Sequence, residues 1–215
     1  MFDYILYDFD GTVFDTVEGI TRSVRYAINK QGLDAELSEL RCFAGPPLED
    51  MFMEKFGFTR EQAKQATLDF RERYLPIGLY ECRVFPGIKE HLAAMRGAGK
   101  RLAVATSKPQ PLAEELLARE DMGGLFDAVC GSALQGNNNA KWQVVQRAME
   151  ALCADPARSI LVGDTKYDVA GAHRCGLPCV CVAYGYAAPG ELEAAGADRI
   201  VPDLEALGAF LVGEG

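Results

Sequence analysis

Short apolar runs recur along the chain, and each is followed by a segment with helical spacing of apolar residues. The runs lie at residues 4–7, 102–105, 128–130, 160–162 and 179–183. Polar and apolar residues do not alternate within them, which is typical of strands whose two faces are both covered by helices. The pattern predicts an α/β fold with a parallel sheet as its core.

A long interval after the first run departs from this alternation. Residues 15–83 show helical spacing and no convincing strand, and Thr59 with Gln62 three residues later forms a capping box at the start of one predicted helix. The pattern therefore predicts two domains. Residues 1–14 and 84–215 form the α/β core, and residues 15–83 form an inserted all-helical cap.

Composition excludes several classes of protein. The chain has 215 residues, 49% hydrophobic content and a net charge of −9, so it can bury a large core and is a poor candidate for nucleic-acid binding. No apolar stretch approaches the ~18 to 20 residues of a membrane span, and no secretory signal is visible. The seven cysteines are expected to be reduced, buried thiols, which predicts a cytoplasmic protein.

The first apolar run leads into two aspartates, Asp8 and Asp10, followed by Gly11. Residues i and i+2 of a strand point to the same side, and the carboxyl ends of strands are where open α/β sheets bind ligands. Two carboxylates ~4 Å apart repel by roughly 4 kcal/mol at an effective dielectric constant of ~20, so the pair requires a cation or a shared proton. The alternative is an ordinary surface turn, because Asp and Gly are common turn residues.

Polar residues also follow two later runs. Thr106 and Ser107 stand after the second run, where a hydroxyl either binds an anion or caps the next helix. Asp164 follows the fourth run and Asp168 lies one helical turn further on, which indicates either a metal site or a plain turn. Lys141 begins a predicted helix, where its charge opposes the helix dipole, so either it has another use or it is a solvated lysine.

Two other residues are given structural roles. Asn139 is predicted to cap the helix that starts near Lys141. His91, which shares a helical segment with Leu92 and Met95, is expected to be a partly exposed residue on a helix surface.

The chemical residues together resemble a known signature. Their order along the chain is Asp8-Phe9-Asp10-Gly11-Thr12, then Thr106, then Lys141, then Gly163-Asp164 with Asp168. This order resembles the four motifs of the haloacid dehalogenase-like hydrolase superfamily. The helical insertion is similar to the cap of its phosphoglycolate phosphatase-like members, and Gly45 begins a loop that resembles their substrate-facing cap loop. The resemblance implies a Rossmann-like core with an inserted helical cap.

The resemblance also implies how the acidic residues act. Asp8 would be the nucleophile that forms an aspartyl-phosphate, and Asp10 would protonate the leaving oxygen and then deprotonate water. A Mg²⁺ ion would be held by Asp8, by the backbone carbonyl of Asp10 and by Asp164. Asp168 would hold or orient the waters of the metal.

Further residues would bind the phosphoryl group, according to the same resemblance. Thr106 and Lys141 would contact the phosphoryl oxygens, together with the backbone amides of Gly11 and Thr12. Ser107, next to Thr106, is a further candidate for binding the substrate.

The implied function is a magnesium-dependent phosphatase that acts on a small phosphorylated metabolite, such as phosphoglycolate or a nucleoside monophosphate. The aspartate at position 10 favours phosphoester chemistry over dehalogenation, because only a poor leaving group needs that acid. Two alternatives remain: a phosphosugar mutase of the same superfamily, and a non-catalytic regulatory protein on the same fold. No nucleic-acid or membrane partner is expected, and the sequence makes no prediction of oligomeric state.

Overall fold

Eight strands are present in the computed structural model, which describes residues 1–133 and 140–213. They are β1 (Tyr4–Tyr7), β2 (Phe14–Asp15), β3 (Arg83–Val84), β4 (Arg101–Pro109), β5 (Ala128–Ser132), β6 (Ser159–Gly163), β7 (Cys179–Val182) and β8 (Arg199–Val201). Six of them form one parallel sheet in the order β5-β4-β1-β6-β7-β8, while β2 and β3 pair separately. The predicted α/β fold with a parallel sheet is confirmed.

Nine α-helices lie within the same described residues. They are α1 (Val17–Lys30), α2 (Leu48–Phe56), α3 (Arg60–Tyr74), α4 (Ile88–Gly97), α5 (Gln110–Arg119), α6 (Lys141–Leu152), α7 (Lys166–Arg174), α8 (Glu191–Ala195) and α9 (Leu204–Val212). In the described part of the chain, no helix is both long enough and apolar enough to cross a lipid bilayer.

The chain divides into two compact units. One contains Met1–Phe14 together with Val84–Gly215, and the other contains Asp15–Arg83. The smaller unit holds α1 to α3, and its α3 starts at the predicted capping box. Thr59 N donates to Gln62 Oε1 at 2.9 Å, and Gln62 N donates to Thr59 Oγ1 at 3.2 Å. These two bonds satisfy amide groups that the first turn of a helix leaves without partners.

The strand register brings three carboxyl ends to one edge of the sheet. β1 lies between β4 and β6, and Tyr7 is paired with Val104 on one side and with Val162 on the other. All three strands are parallel, so the residues that follow these positions emerge side by side. One face of this sheet packs on α6 and α7 through buried apolar side chains such as Leu6, Leu161 and Val145.

Some expectations from the sequence are wrong or lie outside the structure. His91 is 7% exposed, and its Nε2 lies 2.9 Å from the Tyr7 hydroxyl, so it belongs to the core. No disulfide joins the seven cysteines, all of which lie within the described residues, but Cys42 and Cys153 are exposed and not buried. Asn139, the predicted cap of α6, lies outside the described residues.

Candidate active site

Asp8 and Asp10 occupy the turn that follows β1. Asp8 N donates to Val162 O at 2.8 Å, which continues the pairing with β6 and places Asp8 at the edge of the sheet. Gly11 has a φ of +92°, a left-handed value that favours glycine. A Cβ atom at Gly11 would also overlap the Asp164 carboxylate. The glycine therefore allows the turn and lets Asp164 approach the backbone.

Lys141, the first residue of α6, joins two of the acids. Its Nζ lies 2.6 Å from Asp8 Oδ1 and 2.7 Å from Asp168 Oδ1, and the lysine is only 8% exposed. Burial lowers the pKa of this ammonium, but Asp168 and Asp8 outweigh it, so the net effect is a raised pKa and a charged lysine. The lysine stem fits against Gly171 of α7, where a Cβ atom would lie 2.5 Å from Lys141 Cγ.

Asp168 lies in the first turn of α7 and orders the loop before that helix. Its Oδ2 accepts hydrogen bonds from Asp164 N at 3.1 Å, from Thr165 N at 3.0 Å and from Thr165 Oγ1 at 2.9 Å. Its other oxygen contacts Lys141. Asp168 therefore fixes the backbone that carries Asp164 as well as the lysine.

Asp164 is completely buried and both of its oxygens accept hydrogen bonds. Thr12 Oγ1 donates to Oδ1 at 3.1 Å, and Tyr186 N donates to Oδ2 at 2.8 Å. The Tyr184 hydroxyl donates to Thr12 O at 2.9 Å, so the segment after β7 supports both Asp164 and the turn after β1. Neither Tyr184 nor Tyr186 could be identified from the sequence, since neither carries a charge or belongs to one of the motifs.

Three of these acids form a group suited to a metal ion. Asp8, Asp164 and Asp168 each offer one carboxylate oxygen, and these oxygens lie within 4.8 Å of one another. Burial raises the pKa of Asp8 to about 7 in spite of Lys141, and burial likewise raises the pKa of Asp164. Oxygen ligands and concentrated negative charge fit a hard divalent cation such as Mg²⁺.

Asp10 has a charged partner that the sequence motifs do not include. Lys108 Nζ lies 3.0 Å from Asp10 Oδ1, and Lys108 is 7% exposed. Lys108 N donates to Thr106 Oγ1 at 3.0 Å, so the buried Thr106 and the lysine share one local turn, with the half-buried Ser107 between them. A lysine within a buried strand was the available signal, because lysine is rarely buried without a partner.

The larger unit thus gathers nearly all of the predicted site residues. Contacts join Asp8, Lys141, Asp168, Asp164 and Thr12 into one continuous network. Gly45 belongs to the smaller unit, where it has a φ of +111° shortly after the 3₁₀ helix Leu37–Phe43. Its contact with a substrate stays a prediction.

Known proteins are similar to this chain in both sequence and fold. Residues 5–182 match the model of the haloacid dehalogenase-like hydrolase family. The chain is 40% identical over 204 residues to a 5′-nucleotidase of Pseudomonas aeruginosa, which covers 94% of this chain and 92% of that protein. It is 34% identical over 212 residues to a plasmid phosphoglycolate phosphatase of Cupriavidus necator, covering 96% and 92%. The crystal structure of a "predicted phosphatase from Clostridium acetobutylicum" superposes with a TM-score of 0.95 at 38% identity and covers 99% of each chain.

Proposed function

The chain belongs to the haloacid dehalogenase-like hydrolase family, and we propose that it hydrolyses a small phosphate monoester with Mg²⁺ through an aspartyl-phosphate intermediate. The family predicted from the four motifs is confirmed, and the enzyme is a phosphoric monoester hydrolase. What we propose beyond the family is the use of Mg²⁺, the aspartyl-phosphate intermediate, the role of each residue and the class of substrate.

The buried network around Lys141 carries this proposal. Asp8, Asp164 and Asp168 bring three carboxylates to one place, and the ammonium of Lys141 offsets only one of the three charges. A buried charge without compensation is unfavourable by several kcal/mol. Mg²⁺ held by Asp8 and Asp164, near Asp168, would remove that excess. When bound, the ion would supply positive charge beside the phosphoryl group.

Asp8 is the proposed nucleophile. One oxygen of its carboxylate forms a bond to phosphorus while the bond between phosphorus and the ester oxygen breaks. Asp10 donates a proton to that leaving oxygen, which departs as an alcohol. Asp10 then takes a proton from water, and the oxygen of this water attacks the aspartyl-phosphate and releases inorganic phosphate and free Asp8.

The phosphoryl oxygens are proposed to contact groups at the adjoining strand ends. The Thr106 hydroxyl already accepts a hydrogen bond from Lys108 N, so its own hydrogen can be donated to a phosphoryl oxygen. Lys141 supplies positive charge next to Asp8. The amides of Gly11 and Thr12 and the hydroxyl of Ser107 complete the proposed set. Such donors stabilise the charge that spreads over the phosphoryl oxygens in the transition state.

A nucleoside 5′-monophosphate is the first substrate class to test. The relative from Pseudomonas aeruginosa is named a 5′-nucleotidase and is similar over 94% of this chain. Phosphoglycolate is the second class, because the relative from Cupriavidus necator carries that name. The helical unit Asp15–Arg83, with Gly45 in its loop, is the proposed cap that selects between such esters.

A reducing, cytoplasmic location is also part of the proposal. In the described part of the chain, which holds all seven cysteines, no disulfide forms even at the exposed Cys42 and Cys153, and exposed thiols persist best in a compartment that keeps them reduced.

Release of inorganic phosphate tests the function. The purified protein is incubated with nucleoside 5′-monophosphates, phosphoglycolate and an aryl phosphate, with Mg²⁺ or with a chelator. We expect turnover only with Mg²⁺ and its loss in Asp8→Asn. Asp121→Asn is the matched control, because Asp121 is exposed and has a φ of +56°, which asparagine adopts readily. Absence of phosphate release from every ester by the folded protein would contradict the proposal.

A further inference from the structure

We propose that Lys108 is a positioning residue that holds the Asp10 carboxyl group in place for proton transfer to the leaving oxygen. This inference rests on the proposed function, in which Asp10 exchanges a proton with the leaving group. Lys108 is not one of the residues that the four motifs identify, and its role follows from its contacts.

The strand β4 places Lys108 at the site by departing from regular pairing. Pairing with β5 is regular as far as Ala105, and the register then shifts before Pro109. Lys108 lies within this irregular stretch, and its amide is tied to Thr106 Oγ1 at 3.0 Å. An irregular stretch of strand redirects side chains. Here the side chain reaches the turn after β1, where its ammonium contacts Asp10.

The contact is a close ion pair away from water. Lys108 Nζ lies 3.0 Å from Asp10 Oδ1 and 3.5 Å from Oδ2, with side-chain exposures of 3% for the lysine and 12% for the aspartate. The ammonium also lies 5.8 Å from the centre of the Phe9 ring, a favourable distance for a cation above an aromatic face. Both ends of the pair are therefore held by the surrounding structure.

The orientation of this carboxyl group needs an external contact, because the χ2 torsion of aspartate has no sharp energetic preference of its own. A general acid must lie within hydrogen-bond reach of the oxygen that it protonates. An ammonium that bonds mainly to Oδ1, at 3.0 Å, restricts rotation of the carboxyl group and leaves Oδ2, at 3.5 Å, as the oxygen that carries the proton to the leaving group. Small losses of orientation reduce rates by up to about 100-fold.

Esters with different leaving groups distinguish this role from a general structural one. An alkyl phosphate needs its leaving oxygen protonated, whereas an aryl phosphate with an acidic phenol as its leaving group hardly does. We expect Lys108→Met to lower kcat/KM for the alkyl ester about 10- to 100-fold and for the aryl ester less than about threefold. A merely structural or phosphate-binding lysine would lower both values equally.

Lys100→Met is the matched control for this substitution. Lys100 is also buried, at 8% exposure, but its Nζ bonds to Phe2 O at 2.7 Å, and it precedes β4 at the end opposite to Thr106. We expect it to lower thermal stability without changing the ratio of alkyl to aryl turnover. Lys108→Gln, which keeps a polar donor, is the second variant if Lys108→Met does not fold, and the same change of ratio is expected in a weaker form.

A double-mutant cycle measures whether Lys108 acts through Asp10. If Lys108 acts through Asp10, then Lys108→Met adds little to the effect of Asp10→Asn, and the two changes are far from additive. Additive effects, or an equal fall for both esters, would overturn the role of Lys108 while leaving the phosphatase intact. If the wild-type protein releases phosphate from no ester, the proposed function fails and this inference falls with it.

Discussion

Removing the charge of Lys141 is the most direct test of the electrostatics of the site. In Lys141→Met, Asp8 and Asp168 lose an ammonium at 2.6 and 2.7 Å. Two carboxylates no more than 4.8 Å apart then repel by at least ~3 kcal/mol at an effective dielectric constant of about 20. Removing one member of a buried ion pair typically costs about 3–5 kcal/mol. For a chain of this length, that loss corresponds to a fall of about 6–20 °C in Tm.

The loss of stability in Lys141→Met is expected to depend on pH, and the raised pKa of Asp8 gives the direction of this dependence. Burial raises the pKa of Asp8 to about 7 even with Lys141 present, and removing the lysine raises this pKa further. A carboxyl group with a raised pKa binds more protons in the folded than in the unfolded state, so stability falls as pH rises. The deficit in Tm of the metal-free variant is therefore expected to be larger at pH 8 than at pH 6.

The assay is thermal unfolding of the wild type, Lys141→Met and Lys100→Met, at both pH values and with or without Mg²⁺. Lys141→Met leaves more negative charge, so Mg²⁺ is expected to bind it more tightly and to raise its Tm by more than that of the wild type, although turnover falls. Titration calorimetry measures the affinity directly. A deficit no larger than that of Lys100→Met, or weaker Mg²⁺ binding, would show that Lys141 does not offset the charge of Asp8 and Asp168.

Two further predictions concern the buried His91 and the packing of the Lys141 side chain against Gly171. Burial lowers the pKa of His91, beside Tyr7, to about 4; the folded state therefore binds fewer protons at this residue, and its contribution to stability falls by about 1.6 kcal/mol between pH 6.5 and 5. Asp8, with its raised pKa, acts in the opposite direction in both proteins, so the quantity to measure is the difference in unfolding free energy between the wild type and His91→Gln in urea, which should shift against the wild type by this amount as pH falls. In Gly171→Ala, a Cβ atom 2.5 Å from Lys141 Cγ displaces the lysine, so turnover should fall about tenfold or more although alanine favours helices. Gly97→Ala in α4, with open space around it, should keep full activity. Equal turnover in the two variants would show that a side chain at position 171 does not displace Lys141.

Local patterns were sufficient to predict the sheet and the acids at its edge. The run at residues 4–7 matches β1, and parallel strands bring the ends of β1, β4 and β6 together. Because parallel strands end at the same edge of a sheet, the aspartates at positions 8 and 164 could be expected to lie close together from sequence, as they do in the structure. β8 was missed because its three residues, which begin with Arg199, are too short for a recognisable apolar run.

Contacts between residues far apart in the sequence explain the features that local sequence patterns did not predict. Lys108 reaches Asp10 because β4 changes register after Ala105, and no local propensity predicts such a shift. His91 is buried and forms a hydrogen bond with Tyr7, a residue 84 positions away. In each case a polar side chain is stabilised inside the protein by one distant partner, and that partner cannot be identified from spacing along the chain.

The charge balance of the site explains how the carboxylates of Asp8 and Asp10 can lie in the same buried region. The expected repulsion between Asp8 and Asp10 is relieved separately, because Lys141 contacts the first and Lys108 contacts the second. Asp164 and Asp168 then bring two further carboxylates to the same buried region, so two negative charges exceed the ammonium groups. A divalent cation would balance this excess, whereas a monovalent ion would leave the site negative and unfavourable for an anionic phosphate ester. The same charge count predicts that replacing either lysine by a neutral residue strengthens the binding of a divalent cation and weakens catalysis, since each substitution adds to the negative charge that a bound cation would offset.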